Sequence, residues 1–188
     1  ESYKSISIES LSKNFDALKI GRNIFLNNCS SCHGYDATGS KGYPNLTNNI
    51  WLYGGTSEDI KETITYGRNG FMPSLGNFIG NDEDIECVAL YVQSLSIKKD
   101  YDDSSLKKGE KIFQQICSLC HKSDATGDKI KGAPNLLTPQ WIHGSSLSDI
   151  IFTIKNGRQG KMPSHKDVLT EEQIHIVTSY IYSLNNKL

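Results

Sequence analysis

At 188 residues, with 37% hydrophobic and 22% charged residues and a net charge of −1, the chain has the composition of an ordinary folded protein of one or two domains. No run of about 18 apolar residues occurs, so no membrane-spanning helix is expected within it. No charged-then-apolar leader opens it either, which leaves an N-terminal anchor outside the chain open. Residues 1–100 carry 9 Lys+Arg against 12 Asp+Glu and residues 101–188 carry 11 against 9, so neither half is basic enough to suggest nucleic acid.

Residues 1–14 are a polar lead with a few apolar positions, Ile6, Ile8 and Leu11, that wraps a domain or links to an anchor. Residues 15–28 put Leu18, Ile24 and Phe25 on a helical stripe that runs straight into Cys29-Ser30-Ser31-Cys32-His33. A loop from Asp36 to Pro44, rich in Gly, Thr, Lys and Pro, follows. Ser57-Glu58-Asp59-Ile60 predicts a helix start, with a Ser cap, early acids and Ile60 and Ile64 four apart. Gly67 stops that helix. Residues 82–95 predict an amphipathic helix, in which Cys87 reads as a buried, apolar free thiol. No strand is predicted.

The same unit then comes again. Gly21, Phe25, Cys29, Cys32 and His33 return 88 positions later as Gly109, Phe113, Cys117, Cys120 and His121. Pro44-Asn45-Leu46, Trp51, Gly67-Arg68 and Met72-Pro73-Ser74 return 90 later as Pro134-Asn135-Leu136, Trp141, Gly157-Arg158 and Met162-Pro163-Ser164. Tyr91 returns 89 later as Tyr180. Such self-similarity marks a tandem duplication. The second copy has its own first helix over 105–116, a helix start at Leu147-Ser148-Asp149-Ile150, a Gly157 stop, and a last helix over 170–184 opened by the capping box Thr170-Glu171-Glu172-Gln173. The expected organisation is a lead (1–14), a first domain (15–97), a charged linker (98–104) and a second domain (105–188). A glycine inside each first helix costs about 1 kcal/mol against Ala, so Gly21 and Gly109 predict a close neighbour.

Cys-x-x-Cys-His is the attachment signature of a c-type haem: two thiols form thioethers with the vinyl groups, and the histidine becomes the proximal ligand. Cys29, Cys32, Cys117 and Cys120 are therefore the candidate attachment residues for two covalently attached haem c groups, with His33 and His121 as iron ligands. A second axial ligand is needed. Met72 and Met162 are the only methionines, both in Met-Pro-Ser, 39 and 41 residues past the histidine of their own copy. Gap-filling Met would not sit at matched repeat positions, so each is read as the distal ligand of its own domain. Arg68 and Arg158 have the fork to pair haem propionates, against the alternative of solvated loop arginines. Trp51 and Trp141 offer an apolar face and an N–H to a haem edge, or simple packing. Pro44 and Pro134 shape the loop by the proximal histidine. Of the remaining histidines, His165, three residues past Met162, is a surface loop residue in preference to a competing ligand, and His175 reads as packing or exposed. Zinc ribbons need closer Cys pairs, and a thioredoxin-like site needs a βαβ pattern that is missing here.

These residues resemble the class I cytochrome c fold: Gly and Phe in the first helix, Cys-x-x-Cys-His, a distal Met loop and an aromatic in the last helix. Phe25 to Cys29, Pro44-Asn45-Leu46, Trp51-Leu52-Tyr53-Gly54-Gly55, Gly67-Arg68 and Met72-Pro73, with their second-copy counterparts, resemble more closely the dihaem subunit of cbb3-type cytochrome c oxidases, the CcoP or FixP type. The resemblance covers residues 15 to 186. It implies an all-α pair of tandem class I cytochrome c domains, each wrapped around one haem. It also implies an electron relay on the periplasmic side of a bacterial inner membrane, from a small donor cytochrome c to other subunits of a membrane oxidase. Family members carry an N-terminal membrane helix, which this sequence lacks. The second copy departs from the first at Trp141-Ile142-His143-Gly144-Ser145.

Two further readings compete. A free periplasmic dihaem shuttle would serve another redox enzyme. A dihaem peroxidase would need an open iron, against which both distal methionines argue. In the leading reading the chain has no catalytic site of its own, because the redox chemistry belongs to the cofactor.

Overall fold

The computed structural model describes residues 3–185. A 3-10 turn (Tyr3–Ser5) and a short helix α1 (Ile8–Leu11) open the chain. The first repeat supplies α2 (Phe15–Asn28), α3 (Ser30–His33), α4 (Ser57–Tyr66), β1 (Arg68–Met72), α5 (Gly76–Ile79) and α6 (Asp82–Ser94). The second supplies α7 (Asp103–Ile112), α8 (Ser118–His121), α9 (Leu147–Asn156), β2 (Arg158–Met162) and α10 (Glu171–Asn185).

The caps explain most boundaries. Asn14 accepts from the Ala17 amide to start α2, and Asn81 accepts from Asp84 to start α6. Helix α4 opens one residue earlier than its Ser suggested, on a Thr56–Asp59 capping box; α9 likewise opens on Ser146. The Thr170–Gln173 box at α10 is formed as expected, with Gln173 N to Thr170 Oγ1 at 3.2 Å and Thr170 N to Gln173 Oε1 at 2.9 Å. Gly67 and Gly157 end α4 and α9 at φ +72° and +71°, where a side chain would be strained.

Two local expectations need correction. The extended Arg-x-Gly-x-Met segments, expected as loops, form β1 and β2, which pair as a two-stranded sheet. Five residues with a central glycine are too few to show a strand's alternation in the sequence. The first helix of the second repeat is also not continuous to residue 116: α7 stops at Ile112, and a π-helical turn, Phe113–Cys117, carries the chain into its Cys-x-x-Cys-His run.

The larger correction concerns which segments pack together. The sequence repeats lie end to end, but the compact units are residues 1–69 with 161–188, and residues 70–160. The contiguous domains 15–97 and 105–188 are therefore repeats of the sequence and not the units of the fold. The chain passes from one unit to the other inside β1 and again inside β2. Residues 98–104 are no inter-domain linker: they join α6 to α7 within one unit, where Tyr101 Oη donates to Gln93 Oε1 at 3.2 Å.

In unit 1, α2 packs on α10, the last helix of the second repeat. The fit depends on Gly21. A Cβ there would lie 2.7 Å from Tyr180 Cβ and 2.8 Å from the Ile176 carbonyl oxygen. Phe25 and Tyr180 stack alongside, ring centroids 5.6 Å apart and tilted by 52°. Ile60 and Ile64 of α4, with Ile174, Val177 and Ile181 of α10, complete the core. The lead wraps this unit: α1 lies on α10, and His175 Nε2 is 2.8 Å from the Ile6 carbonyl oxygen. His175 is therefore a buried packing residue.

Unit 2 repeats the plan with the other copies. Here α6, the last helix of the first repeat, packs on α7, and Gly109 admits the Cys87 carbonyl and Tyr91 Cβ, the latter 2.9 Å from a Cβ at Gly109. Tyr91 and Phe113 stand 5.4 Å apart, again tilted, by 53°. Ile85, Val88 and Val92 of α6 and Ile150 and Ile154 of α9 fill the core, with Cys87 buried as expected. Exposed ion pairs from Lys108 to Glu83 and Asp84, both 2.8 Å, add little to this burial.

Gly21→Ala sets two effects against each other: a helix-propensity gain of about 1 kcal/mol and an overpacking cost of about 1–3 kcal/mol, because the obstructing atom is a main-chain carbonyl that cannot rotate away. Overpacking should win, lowering the urea midpoint of the protein. A raised midpoint would contradict the close α2–α10 contact.

Candidate functional site

Each unit places one Cys-x-x-Cys-His run beside one hydrophobic core. In unit 1, Cys29 ends α2 and the single turn α3 delivers His33, whose ring is buried. Its Nδ1 is 3.1 Å from the Pro44 carbonyl oxygen. In unit 2, His121 at the end of α8 is likewise buried, with Nδ1 3.1 Å from the Pro134 carbonyl oxygen. A main-chain carbonyl only accepts, so in both rings Nδ1 carries the proton and donates, and Nε2 keeps its lone pair. This is the arrangement that orients a histidine ligand and raises its basicity. Burial lowers the pKa of both imidazoles, the carbonyl opposing it, and in His33 the nearby His165 lowers it further. Both shifts favour the neutral ring, the form that ligates a metal.

The thiols point the same way. Burial pushes the Cys29 and Cys117 thiols up to about 11, their Cys32 and Cys120 neighbours adding to it. A dithiol redox site needs the opposite, a thiol with lowered pKa. All four sulfurs are free. Among the described residues no group of three or more His, Cys, Asp or Glu side chains converges to hold a bare metal ion. A porphyrin that brings its own four nitrogens, takes two thioethers and needs one imidazole and one soft sulfur fits this donor set.

The methionines are where the structure departs from the sequence reading. Met162 packs against the unit 1 core that also receives Cys29 and Trp51. Met72 packs against the unit 2 core that also receives Cys117 and Trp141. Each Cys-x-x-Cys-His run therefore shares its core with the methionine of the other repeat, not its own. The α4 stop Gly67 carries the Met162 carbonyl where a Cβ would go, and Gly157 carries the Met72 carbonyl in the same way. Ser164 Oγ donates to the Thr65 carbonyl at 2.7 Å and His165 N to that of Ile64 at 3.1 Å, anchoring the Met162 loop on α4. Leu75 N donates to the Ile154 carbonyl at 2.9 Å and does the same for Met72 on α9.

The other predicted residues divide. Arg68 spends its Nε on Thr63 Oγ1 (2.9 Å) and one terminal nitrogen on Glu62 (2.9 Å), and lies 5.0 Å over the Tyr53 ring. Its carboxylate partner within the chain is Glu62, leaving only part of the fork for a propionate. Among the described residues Arg158 spends only Nε, on Thr153 Oγ1 at 2.9 Å, and lies 4.8 Å over Phe152. Trp141 donates its N–H to the Thr138 carbonyl at 2.8 Å, so the expected haem-edge donor is already committed. The role of Pro44 and Pro134 lies in their carbonyls, which the sequence reading missed. Three buried polar atoms of unit 1, Tyr53 Oη, His165 Nδ1 and Asn185 Oδ1, find no partner among the described residues.

Residues 16–92 and 104–181 each match the family described as cytochrome c oxidase, cbb3-type, subunit III. The chain belongs to that family. It holds two tandem cytochrome c-type segments, as a subunit III match over both repeats requires. The chain is similar to the cbb3-type cytochrome c oxidase subunit CcoP of Rubrivivax gelatinosus, 43% identical over 177 residues, covering 94% of this chain and 58% of that protein. Similarity extends to the FixP subunit of Azorhizobium caulinodans, 35% identical over 192 residues (96% and 65%), and to the CcoP subunit of Azospirillum brasilense, 33% over 198 residues (95% and 67%). The chain thus spans about six-tenths of the length of the first of these subunit III relatives. No helix among its described residues is long and apolar enough to cross a membrane.

Gly67→Ala should disturb the Met162 loop and Gly157→Ala the Met72 loop, each forcing a side chain into a positive-φ extended conformation, essentially confined to glycine, at about 1–3 kcal/mol against a main-chain carbonyl. In the oxidised haem-loaded protein, each substitution should weaken the sulfur-to-iron charge-transfer absorption by about half. An unchanged band in both would contradict the loop placement.

Proposed function

We propose that this chain is the electron-relaying dihaem part of a cbb3-type terminal oxidase. One haem c would be bound covalently through Cys29 and Cys32, with His33 and Met162 as axial ligands. The other would be bound through Cys117 and Cys120, with His121 and Met72. The observation that carries this reading is the twofold occurrence of one arrangement: a buried imidazole whose Nδ1–H is fixed on a proline carbonyl, beside a core that also takes one of the only two methionines.

When bound, haem supplies reversible one-electron chemistry at its iron. The chain's residues do the rest. The Pro44 and Pro134 carbonyls hold the imidazoles in the ligating tautomer. The Met162 and Met72 sulfurs would supply a soft ligand of the kind that favours reduced iron and raises the potential. Phe25 and Phe113, both fully buried, keep water from the proximal side. Arg158, and less fully Arg68, would meet propionates, while Trp51 and Trp141 would pack against the haem. No general acid, base or nucleophile is required. The partners in this reading are a small donor cytochrome c and the other subunits of the oxidase, on the periplasmic face of a bacterial inner membrane. Two methionines placed to close both irons speak against peroxidase chemistry.

Purified protein should bind two haems that survive denaturing electrophoresis. Met162→Ala should lower the potential of one haem by on the order of 100 mV or more, as expected for loss of a ligand that sets potential over hundreds of millivolts. Met72→Ala should do the same to the other. Loss of the haem stain only when both cysteine pairs are replaced would support the reading; a single haem per chain would overturn it.

A further inference from the structure

The loop after each Cys-x-x-Cys-His run holds its histidine at two points. The Gly39 amide donates to the His33 main-chain carbonyl at 2.8 Å, and the Gly127 amide donates to that of His121 at 3.0 Å. Further along the same loops, the Pro44 and Pro134 carbonyls accept from the two rings. Those carbonyls lie against the same glycines. A Cβ at Gly39 would stand 2.7 Å from both the carbonyl carbon and the oxygen of Pro44. One at Gly127 would stand 2.5 Å and 2.6 Å from those of Pro134. No side chain fits at such distances, and a main-chain obstacle cannot rotate aside.

Positive φ alone does not call for glycine in this loop. Ala37 and Ala125 stand at φ +62° and +60°, not far from the +74° and +78° of Gly39 and Gly127. Loop length does not dictate the contact either. The stretch from glycine to proline is two residues longer in the second repeat, and it closes on an Asp128–Ala133 bridge where the first closes on Ser40–Tyr43. Through that change the glycine still lies under the carbonyl, and the ring Nδ1 stays 3.1 Å from the oxygen in both copies. Just past each proline the chain is anchored again, Leu46 N to the Ala37 carbonyl at 2.8 Å and Leu136 N to the Ala125 carbonyl at 2.9 Å. The proline carbonyl is thereby held between that anchor and the glycine.

We infer that Gly39 and Gly127 are positioning residues for the proximal histidines: each seats the proline carbonyl that orients the ring, and so tunes the iron that the ring would bind. The inference rests on the reading that His33 and His121 ligate haem iron. A carbonyl accepting from Nδ1–H makes the imidazole a more basic ligand, which favours ferric iron. An alanine at the glycine would push the carbonyl away, so the hydrogen bond lengthens and the ring donates less. The oxidised state then loses support and the potential rises. Loss of a methionine ligand acts with the opposite sign.

The test is potentiometry of the haem-loaded chain, with the histidine ring N–H protons followed by NMR in the reduced protein. Gly39→Ala should shift the one-electron equilibrium of the haem on Cys29 and Cys32 about tenfold towards the reduced form, a rise of about 59 mV. Gly127→Ala should do the same for the haem on Cys117 and Cys120. In each variant the ring N–H of the histidine concerned should exchange faster with solvent, while the sulfur-to-iron charge-transfer absorption stays whole. Gly42→Ala is the control. Gly42 lies in the first of these loops at φ +97°, with nothing within 4 Å of where a Cβ would go. That variant carries the backbone strain without the contact, and it should leave potential and exchange unchanged. Haem-loaded Gly39→Ala and Gly127→Ala proteins with unchanged or lowered potentials overturn this inference alone, as does an equal shift in Gly42→Ala. So does failure of both to take up haem where Gly42→Ala takes it up, because the glycines would then hold the fold and not the ligand. A wild-type chain with no haem on either cysteine pair overturns the haem assignment and this inference with it.

Discussion

Two glycines, Gly21 and Gly109, bring a first helix and a last helix so close that main-chain carbonyl and tyrosine Cβ lie where a Cβ would stand. The rest of each unit depends on that approach. It sets the fully buried Phe25 against Tyr180 and the fully buried Phe113 against Tyr91, in the cores that also receive Cys29 and Cys117. A larger residue at either glycine would lift the last helix and, with it, the wall of the site. Four kinds of residue per unit (glycine, buried phenylalanine, tyrosine and the ligand-bearing turn) are thus coupled through one contact.

The same contact decides which repeat completes which. The last helix of the first repeat closes on Gly109, and that of the second closes on Gly21. The methionine loops follow, seated on α4 and α9 through Gly67 and Gly157. Under the proposed function, neither iron is ligated by one repeat alone. Mutating one methionine therefore reports on the haem attached to the other copy's cysteines. Stability and redox tuning become properties of the whole chain.

Much of this was legible in the sequence. The duplication shows as a repeated pattern, and the Gly67 and Gly157 stops and the Thr170 capping box depend on residues close together in the chain, where local chemistry is what a sequence displays. The close neighbour of each helix glycine was also foreseen. Its identity was not, because Tyr91 and Tyr180 are equivalent, as are Gly21 and Gly109, so the pattern fits either pairing equally well. Loop-closure entropy gives no strong vote, since each doubling of a loop costs only about 0.6 kcal/mol. The His33–Pro44 and His121–Pro134 hydrogen bonds were illegible for a different reason: their acceptor is main chain and carries no side-chain signature.

The central claim is that His33 shares its iron with Met162, and His121 with Met72. The chain has only two methionines, so methyl-labelled methionine in the reduced, haem-loaded protein gives two ring-current-shifted resonances, assigned by Met72→Leu and Met162→Leu. Nuclear Overhauser contacts from each methyl to haem protons, traced to the thioether at Cys29 or at Cys117, identify the haem it faces. The account predicts that the Met162 methyl connects to the haem on Cys29 and Cys32. Connection of the Met72 methyl to that haem would contradict it.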